Sequence, residues 1–595
     1  MQGLSTFEKF GERVFYRRED YSDVVFERCR DGSLTFKIEK NGRSVYAHSK
    51  YSPVKEAEIF ADETERKSDT IFLVFGFGLG HFIRALLKKC SKRNHLCIYE
   101  PNAALFTKII DEGHCDDILE NEHVYVVADS DGESFGSFMA RLIDGDYFNR
   151  CKAVALPVYR EVYSEEFVAF LENTKKMMQD NEIGRATVFD KSMLWATNSF
   201  ENIGNILNSY SIAQFYNVFQ GKTAVIVSAG PSLKKNMRLL KEIKGKIPII
   251  SVFVAAKVLL AEGIVPDFIV SADNLQEGMS EMYDGIPLIY DSRVRKTFVD
   301  SHKGADIIMM SETDSCSQAI MSKYKKKIVS TYGGGSVACD CTSAAEAMGC
   351  KNIILIGQDL AYTENKCHVD GTDHKIKNPD EVEHQKTEIP AIGGGTVMSD
   401  PVFQYYIRWF ADYGASKQGI VNLIDATEGG ALIKNTEVIT FREAIDKYCG
   451  DTVDVDKVIS GVLSEGPVFS EEEKKTVFSD MEREFAEIDK ILELIDEEKE
   501  LFDKYRKALK FRSASNLKSI IGIEAKLDDY DKKIEKAKRK IEMLMGVAYY
   551  IEYANRFVSS LERIDEEDEV AVSAIRRKDW LMQLEAALKS VKALK

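Results

Sequence analysis

Seven short runs between residues 223 and 358 constrain the fold more than any other feature: TAVIVSA, IPIISVF, DFIVSAD, PLIYDS, ADIIMM, KKIVSTY and NIILIGQ. Each is built around an apolar stretch, and most end on small or polar residues; helical segments separate many of them. Strands buried on both faces read this way, and their alternation with helices predicts a parallel, doubly wound sheet. An earlier series begins at Thr70. DTIFLVFGFGLGHFIRALLKK reads as strand, glycine turn and helix, HLCIYEPN as a second strand, and HVYVVADS and AVALPVY as a third and fourth. Before it, SLTFKIE and RSVYAHS predict a hairpin or small sheet that caps this first series. The predicted class is α/β, with Rossmann-like parallel-sheet domains followed by a C-terminal α-helical domain.

A chain of 595 residues exceeds one ordinary core. The texture divides it into a β-rich cap with a first Rossmann-like domain over 1–160 and a helical linker over 161–219. A central nucleotide-binding domain spans 220–449, and a helical domain spans 450–595. In the last of these, Phe478, Met481, Phe485, Ile488, Leu492 and Ile495 step by threes and fours. So do Ile520, Ile523, Leu527, Tyr530, Ile534, Ala537, Ile541 and Leu544. They predict two long helices in an antiparallel hairpin, extended by a last helix from Trp580 to Leu594. Such a region packs, makes homo-oligomers, or docks a protein substrate.

The net charge of −16 argues against nonspecific binding to nucleic acid or an anionic membrane surface. Eleven scattered cysteines without a C-x-x-C pair read as reduced thiols. The N-terminus has no continuous apolar signal region, and no run approaches 18 apolar residues, so the expectation is a cytoplasmic chain without a membrane span. No H-E-x-x-H or dense carboxylate cluster calls for a metal.

Two glycine turns come after predicted strands. GFGLG at 76–80, with Glu100 ending the next strand, fits either a nucleotide site or a structural turn. In IVSAGPSL, Ser228 and Ala229 end a strand, Gly230 lets the backbone turn, Pro231 suits a first helical turn, and Ser232 offers a hydroxyl. SADN puts Asp273 and Asn274 at another strand end. YGGGSVACDCTSAAEAMGC enters a helix through Gly333, Gly334, Gly335 and Ser336, and GQDLAYT brings Gln358, Asp359 and Tyr362 to the same edge. Together they predict an anionic-nucleotide site.

AGPSL, SADN, YGGGSVACD and LIGQDLAYT, in this order and before a helical tail, resemble the motility-associated factor (Maf) family of bacterial flagellin glycosyltransferases. The resemblance implies transfer of a nonulosonic acid, such as pseudaminic or legionaminic acid, from a CMP-activated donor to Ser or Thr hydroxyls of flagellin. It requires no further cofactor. The central domain is also similar to metal-independent bacterial sialyltransferases with a G-N-G-P-S-L motif. This chain has Ala229 at their asparagine and lacks their second asparagine in IISVFVAAK, which leaves more of the holding to backbone N–H groups and Ser232. The sialyltransferase likeness implies that Tyr362 donates to the leaving phosphate and that His368 is the catalytic histidine. A histidine suits proton removal from the acceptor, with His374, His384 and Asp359 as the other candidates. The central domain is similar as well to an archaeal-type pterin pyrophosphokinase family, which implies diphosphate transfer instead. A noncatalytic flagellin-binding chaperone is the third reading.

Overall fold

The computed structural model describes residues 5–6, 13–40, 42–66, 70–91, 94–129, 135, 151–276, 278–311, 313–363, 366–372, 386–511, 513, 516–561 and 569–595. The chain forms two compact units, Met1–Phe189 with Arg556–Val572, and Asp190–Asn555 with Ser573–Lys595.

In the first unit, the strands Val14–Tyr16, Val124–Ala128, His95–Glu100, Ile71–Phe75 and Cys151–Ala155 lie side by side in that order, all parallel, with Ser5–Thr6 antiparallel at the edge. All four predicted strands are present. Ile71–Phe75 and most of His95–Glu100 are buried on both faces, with Phe72, Phe75, Phe77, Phe82 and Phe106 filling the core. SLTFKIE and RSVYAHS contribute Leu34–Lys40 and Arg43–Tyr46 to a small antiparallel sheet with Phe26–Arg28.

The second unit is built on nine parallel strands in the order Tyr210–Ser211, Asp306–Ile308, Leu288–Tyr290, Phe268–Ser271, Ile249–Val252, Thr223–Val227, Asn352–Ile356, Asn422–Asp425 and Glu437–Val438. Six of the seven predicted runs are in this sheet. KKIVSTY is not: Ser330–Thr331 pairs with Met310–Ser311 in a separate two-stranded sheet. Its lysines are polar, its apolar part is two residues long, and Ile328 stays 37% exposed, so the run lacks the two buried faces a central strand needs. The segment 161–219 is helical over Ser164–Glu201 and Ile203–Asn208 and then supplies the edge strand Tyr210–Ser211.

Strand order fixes where a site can form. From Thr223–Val227 the chain steps outward strand by strand to Asp306–Ile308. It then crosses back to set Asn352–Ile356 on the other side of Thr223–Val227. This reversal of strand order marks a switch point at the carboxyl edge, between the loops after these two central strands, where a ligand crevice is expected.

Helices Glu471–Lys510 and Leu517–Lys538 form the predicted antiparallel hairpin, with Tyr530 bonded to Glu497 and Lys540 to Glu487. The second apolar stripe does not lie on one helix. The helix stops at Lys538 and a new one, Glu542–Leu561, begins after Ile541. There the backbone N–H groups of Met543 and Leu544 bond the buried Glu484 carboxylate of the first helix, a charge that also pairs with Lys323. Carboxylate bonding of helix-start N–H groups stabilises the break. Among the described residues no helix is long and apolar enough to cross a membrane.

Candidate active site

The GFGLG turn of the first unit is filled by its own chain. Phe77 and Gly78 donate their N–H groups to Glu100 Oε2 at 2.7 and 3.2 Å, and Leu79 N–H donates to His48 Nε2 at 3.2 Å. Each glycine has positive φ. A Cβ on Gly76 would fall 2.6 Å from the Tyr159 ring, and one on Gly78 2.7 Å from His48. Of the two readings left open by the sequence, the geometry is that of a structural turn. Burial pushes the Glu100 carboxyl up to about 7 and the His48 imidazole down to about 3.

The second turn, at the crevice, obeys the same logic. Gly230 N–H donates to Gly357 O at 2.7 Å, and a Cβ on Gly230 would lie 2.5 Å from that oxygen and 2.7 Å from Asp359 Cγ. Gly230 therefore serves close approach rather than an unusual φ. The approach delivers the Asp359 carboxylate to Ser232, whose Oγ donates at 2.5 Å and whose N–H donates at 3.2 Å. Thr363 Oγ1 adds a bond at 3.2 Å. Burial raises the Asp359 pKa, and the Ser232 bonds oppose the rise. Beside it, Ser228 Oγ donates to Gln358 Oε1, and Gln358 N–H donates to Thr427 Oγ1 at 3.3 Å. Ala431 N–H closes on Asp359 O at 2.8 Å, next to Gly430 with φ +78°. Ser228, Gly230, Ser232, Gln358 and Asp359 thus meet at the switch point, and Asp359 holds the turn where a phosphate was expected.

Tyr362 donates its hydroxyl to Asp400 Oδ2 at 2.5 Å, packs on Phe403 and lies under Lys386 Nζ at 4.0 Å. Asp400 caps helix Pro401–Ser416 by accepting from Phe403 N–H at 2.8 Å. This helix, FQYYIRWFADY in its aromatic part, escaped the sequence reading and covers the glycine-rich loop. A Cβ on Gly334 would meet the Trp409 ring at 2.7 Å, and one on Gly335 (φ +76°) would meet Tyr406 at 3.2 Å. Gly333 has open space around it. Ser336 caps helix Val337–Ala347.

His368 is half-buried with Nδ1 3.1 Å from Cys367 Sγ, and the next residue, Val369, donates its N–H to Ala229 O at 2.7 Å, tying this loop to the AGPS turn. His374 and His384 lie outside the described residues. Asp273 is exposed and accepts from Leu275 N–H at 2.9 Å, and the carbonyl of Asn274 accepts from Asn198. Both stand two strands away from the AGPS turn.

Sequence reading also missed a buried polar group at the next strand end. Arg293 grips Asp291 with Nε and Nη2, each at 2.7 Å, reaches Ser311 Oγ at 3.2 Å and lies 4.9 Å from the Trp195 ring centre. Asp314 accepts from Ser292 Oγ and Ser317 N–H. Asp340, in the first turn of helix Val337–Ala347, is buried within the electrostatic reach of Asp291 and Arg293. The sequence signals were the Asp291 and Ser292 that end PLIYDS and the D closing YGGGSVACD. Among the described residues no group of three or more His, Cys, Asp or Glu is placed to hold a metal. A cavity of about 450 Å³ opens at the opposite edge of the sheet, lined by residues such as Gln220, Tyr332, Glu346 and Lys351, and none of the candidate residues lines it.

Two families share the likeness. Residues 21–181 match the glycosyltransferase Maf N-terminal domain, and residues 197–365 match the 6-hydroxymethylpterin diphosphokinase MptE-like family. A 6-hydroxymethyl-7,8-dihydropterin pyrophosphokinase of Methanocaldococcus jannaschii is 25% identical over 201 residues, covering 31% of this chain and 80% of that protein. An uncharacterized protein of Treponema pallidum is 21% identical over 232 residues, 38% of this chain and 75% of that one. The solved structure of a MAf glycosyltransferase from Magnetospirillum magneticum AMB-1 superposes with a TM-score of 0.54 at 17% identity, over 96% of this chain and 92% of that chain. The fold is therefore shared along nearly the whole length.

Proposed function

We propose that the protein is a glycosyltransferase that moves a nonulosonic acid, pseudaminic, legionaminic or a relative, from a CMP-activated donor to Ser or Thr hydroxyls of flagellin. The observation that carries this reading is the extent of the likeness. A Maf N-terminal match stands before the central domain, and the fold of a Maf glycosyltransferase continues through the helical tail. The pterin relative covers only the central third.

In this reading the donor lies across the carboxyl edge between the AGPS turn and the glycine-rich loop. Ser232 has its N–H and Oγ on Asp359, so the phosphate is assigned to the backbone of Gly333, Gly334, Gly335 and Ser336 at the start of the helix Val337–Ala347. Asp273 and Asn274 meet the ribose or base. His368 takes the acceptor proton. Asp359, bonded to Ser232 and Thr363, and Tyr362, bonded to Asp400, act as positioning residues.

Incubation with CMP-pseudaminate or CMP-legionaminate and unmodified flagellin, with and without EDTA, tests the proposal. CMP release together with a mass increase on flagellin is expected. No CMP release with either donor overturns it. The match over 197–365 favours a second reading, diphosphate transfer from ATP to 6-hydroxymethyl-7,8-dihydropterin, and AMP formation with that substrate would establish it. Flagellin binding without any turnover, unchanged by substitution of Gly230 or Asp273, would leave the chaperone.

A further inference from the structure

Asp340 is over nine-tenths buried, yet among the described residues no donor or cation bonds its carboxyl. The groups that act on it come from three elements. Asp291 and Arg293 lie just beyond strand Leu288–Tyr290, Cys339 and Cys341 flank it on its own helix, and Tyr406 of the aromatic helix Pro401–Ser416 is within its electrostatic reach. Arg293 does not neutralise it, because both oxygens of Asp291 already hold that guanidinium. A buried carboxyl beside an already compensated ion pair is favoured in its neutral form, as an O–H donor. Burial and the Asp291 charge accordingly push it up to about 8. Its place, in the first turn of the helix that the glycine-rich loop enters, is the carboxyl edge of the sheet where a donor phosphate is assigned.

We infer that Asp340 is the acid of the transfer step, giving its proton to the phosphate oxygen of the departing nucleotide. The inference rests on the glycosyltransferase reading above. The sugar–phosphate C–O bond breaks with its electron pair on the phosphate oxygen, which takes the Asp340 proton. The acceptor oxygen forms the new C–O bond at the same carbon and yields its proton to His368. That proton returns through solvent to the Asp340 carboxylate, so CMP leaves protonated and the enzyme is restored.

The test uses the full chain, wild type, Asp340→Asn and Asp340→Glu, with CMP-pseudaminate and CMP-legionaminate as donors, flagellin as acceptor and CMP as binding probe. Asparagine keeps the shape and neutrality of the protonated carboxyl but transfers no proton. Asp340→Asn is expected to lower kcat about 100-fold with CMP affinity within about threefold of wild type. The wild-type rate should fall as pH rises through about 8, a limb that disappears in Asp340→Asn and survives in Asp340→Glu. An infrared difference spectrum, independent of turnover, should show one protonated-carboxyl band fewer in Asp340→Asn at neutral pH. Wild-type kcat and an intact alkaline limb in Asp340→Asn overturn the inference while leaving the glycosyltransferase reading standing. A loss of CMP affinity as large as the loss of kcat, or an unchanged carboxyl band, also overturns it. A wild-type protein that releases no CMP from either donor overturns both.

Discussion

Gly230→Ala tests the packing that creates the crevice. The added Cβ would sit 2.5 Å from Gly357 O and 2.7 Å from Asp359 Cγ, and would overlap the Asp359 carboxylate oxygen. Ordinary contact begins near 3.4 Å, so the two central loops must part by about 0.9 Å at the Gly357 carbonyl. That carbonyl is backbone and accepts the Gly230 N–H, so the separation strains this bond and pulls Asp359 from Ser232. Overpacking costs about 1–3 kcal/mol. Weakening the hydrogen bonds of a buried carboxylate adds about 1.5–3 kcal/mol. A total of about 4 kcal/mol corresponds to roughly a 1,000-fold larger population of the locally open state. Hydrogen exchange of the amides in Thr223–Val227 and Asn352–Ile356 measures it, since a chain of two units has no single unfolding free energy. Gly333→Ala, where nothing lies within 4 Å of the new Cβ, serves as the control and should leave exchange unchanged. In an Asp359→Ala background, which is itself less protected, the Gly230→Ala penalty should shrink but not vanish, because the Gly357 carbonyl remains. Wild-type exchange in Gly230→Ala, or an equal penalty in both backgrounds, would refute the argument.

Three further outcomes are expected. Glu100 enters the fold with its pKa raised to about 7 from an ordinary 4.5. The stability linked to it is fully present below about pH 4.5 and is lost as pH rises through about 7, a change of about 3 kcal/mol; Glu100→Gln should flatten this pH dependence in thermal unfolding of the first unit. Arg293→Met leaves Asp291 charged and buried, and should destabilise the second unit by about 3 kcal/mol, most of it recovered when Asp291→Leu is added, as read by melting temperature. His368→Ala should lower kcat at least about 100-fold with little change in donor KM, and an unchanged kcat would remove it as the base.

Strands were legible in long runs apolar on both faces, as in IFLVF, TAVIV and NIILI, but the shorter buried strands Val14–Tyr16 and Asn422–Asp425 were not read. KKIVSTY failed that condition and left the sheet. Tyr210–Ser211 and Glu437–Val438 are two residues long, too short to carry a periodic signal. The site was legible as a set of strand ends, but its internal partners were not. Nothing local to AGPS announces that Asp359 occupies it, because Ser232 and Asp359 are 127 residues apart and meet only when two distant strands become neighbours. The break after Lys538 was hidden for the same reason, since its stabilising carboxylate, Glu484, comes from another helix.

The two glycine turns share one physical consequence. A turn that opens several N–H groups toward a point attracts an anion, and the chain can supply that anion itself. Glu100 does so for GFGLG and Asp359 for AGPS. An internal carboxylate rigidifies the turn but occupies the donors that a ligand phosphate would use. In the second unit this shifts the expected phosphate position toward Gly333–Ser336, where Gly333 has open space and the helix start lies behind Ser336. Asp359→Asn gives a sharp test of that displacement. If the phosphate lies at Gly333–Ser336, the substitution should leave CMP affinity within about threefold, because Asn still accepts from Ser232. If the phosphate instead displaced Asp359 from Ser232, removing the competing charge should tighten CMP binding by more than tenfold, about 1.4 kcal/mol.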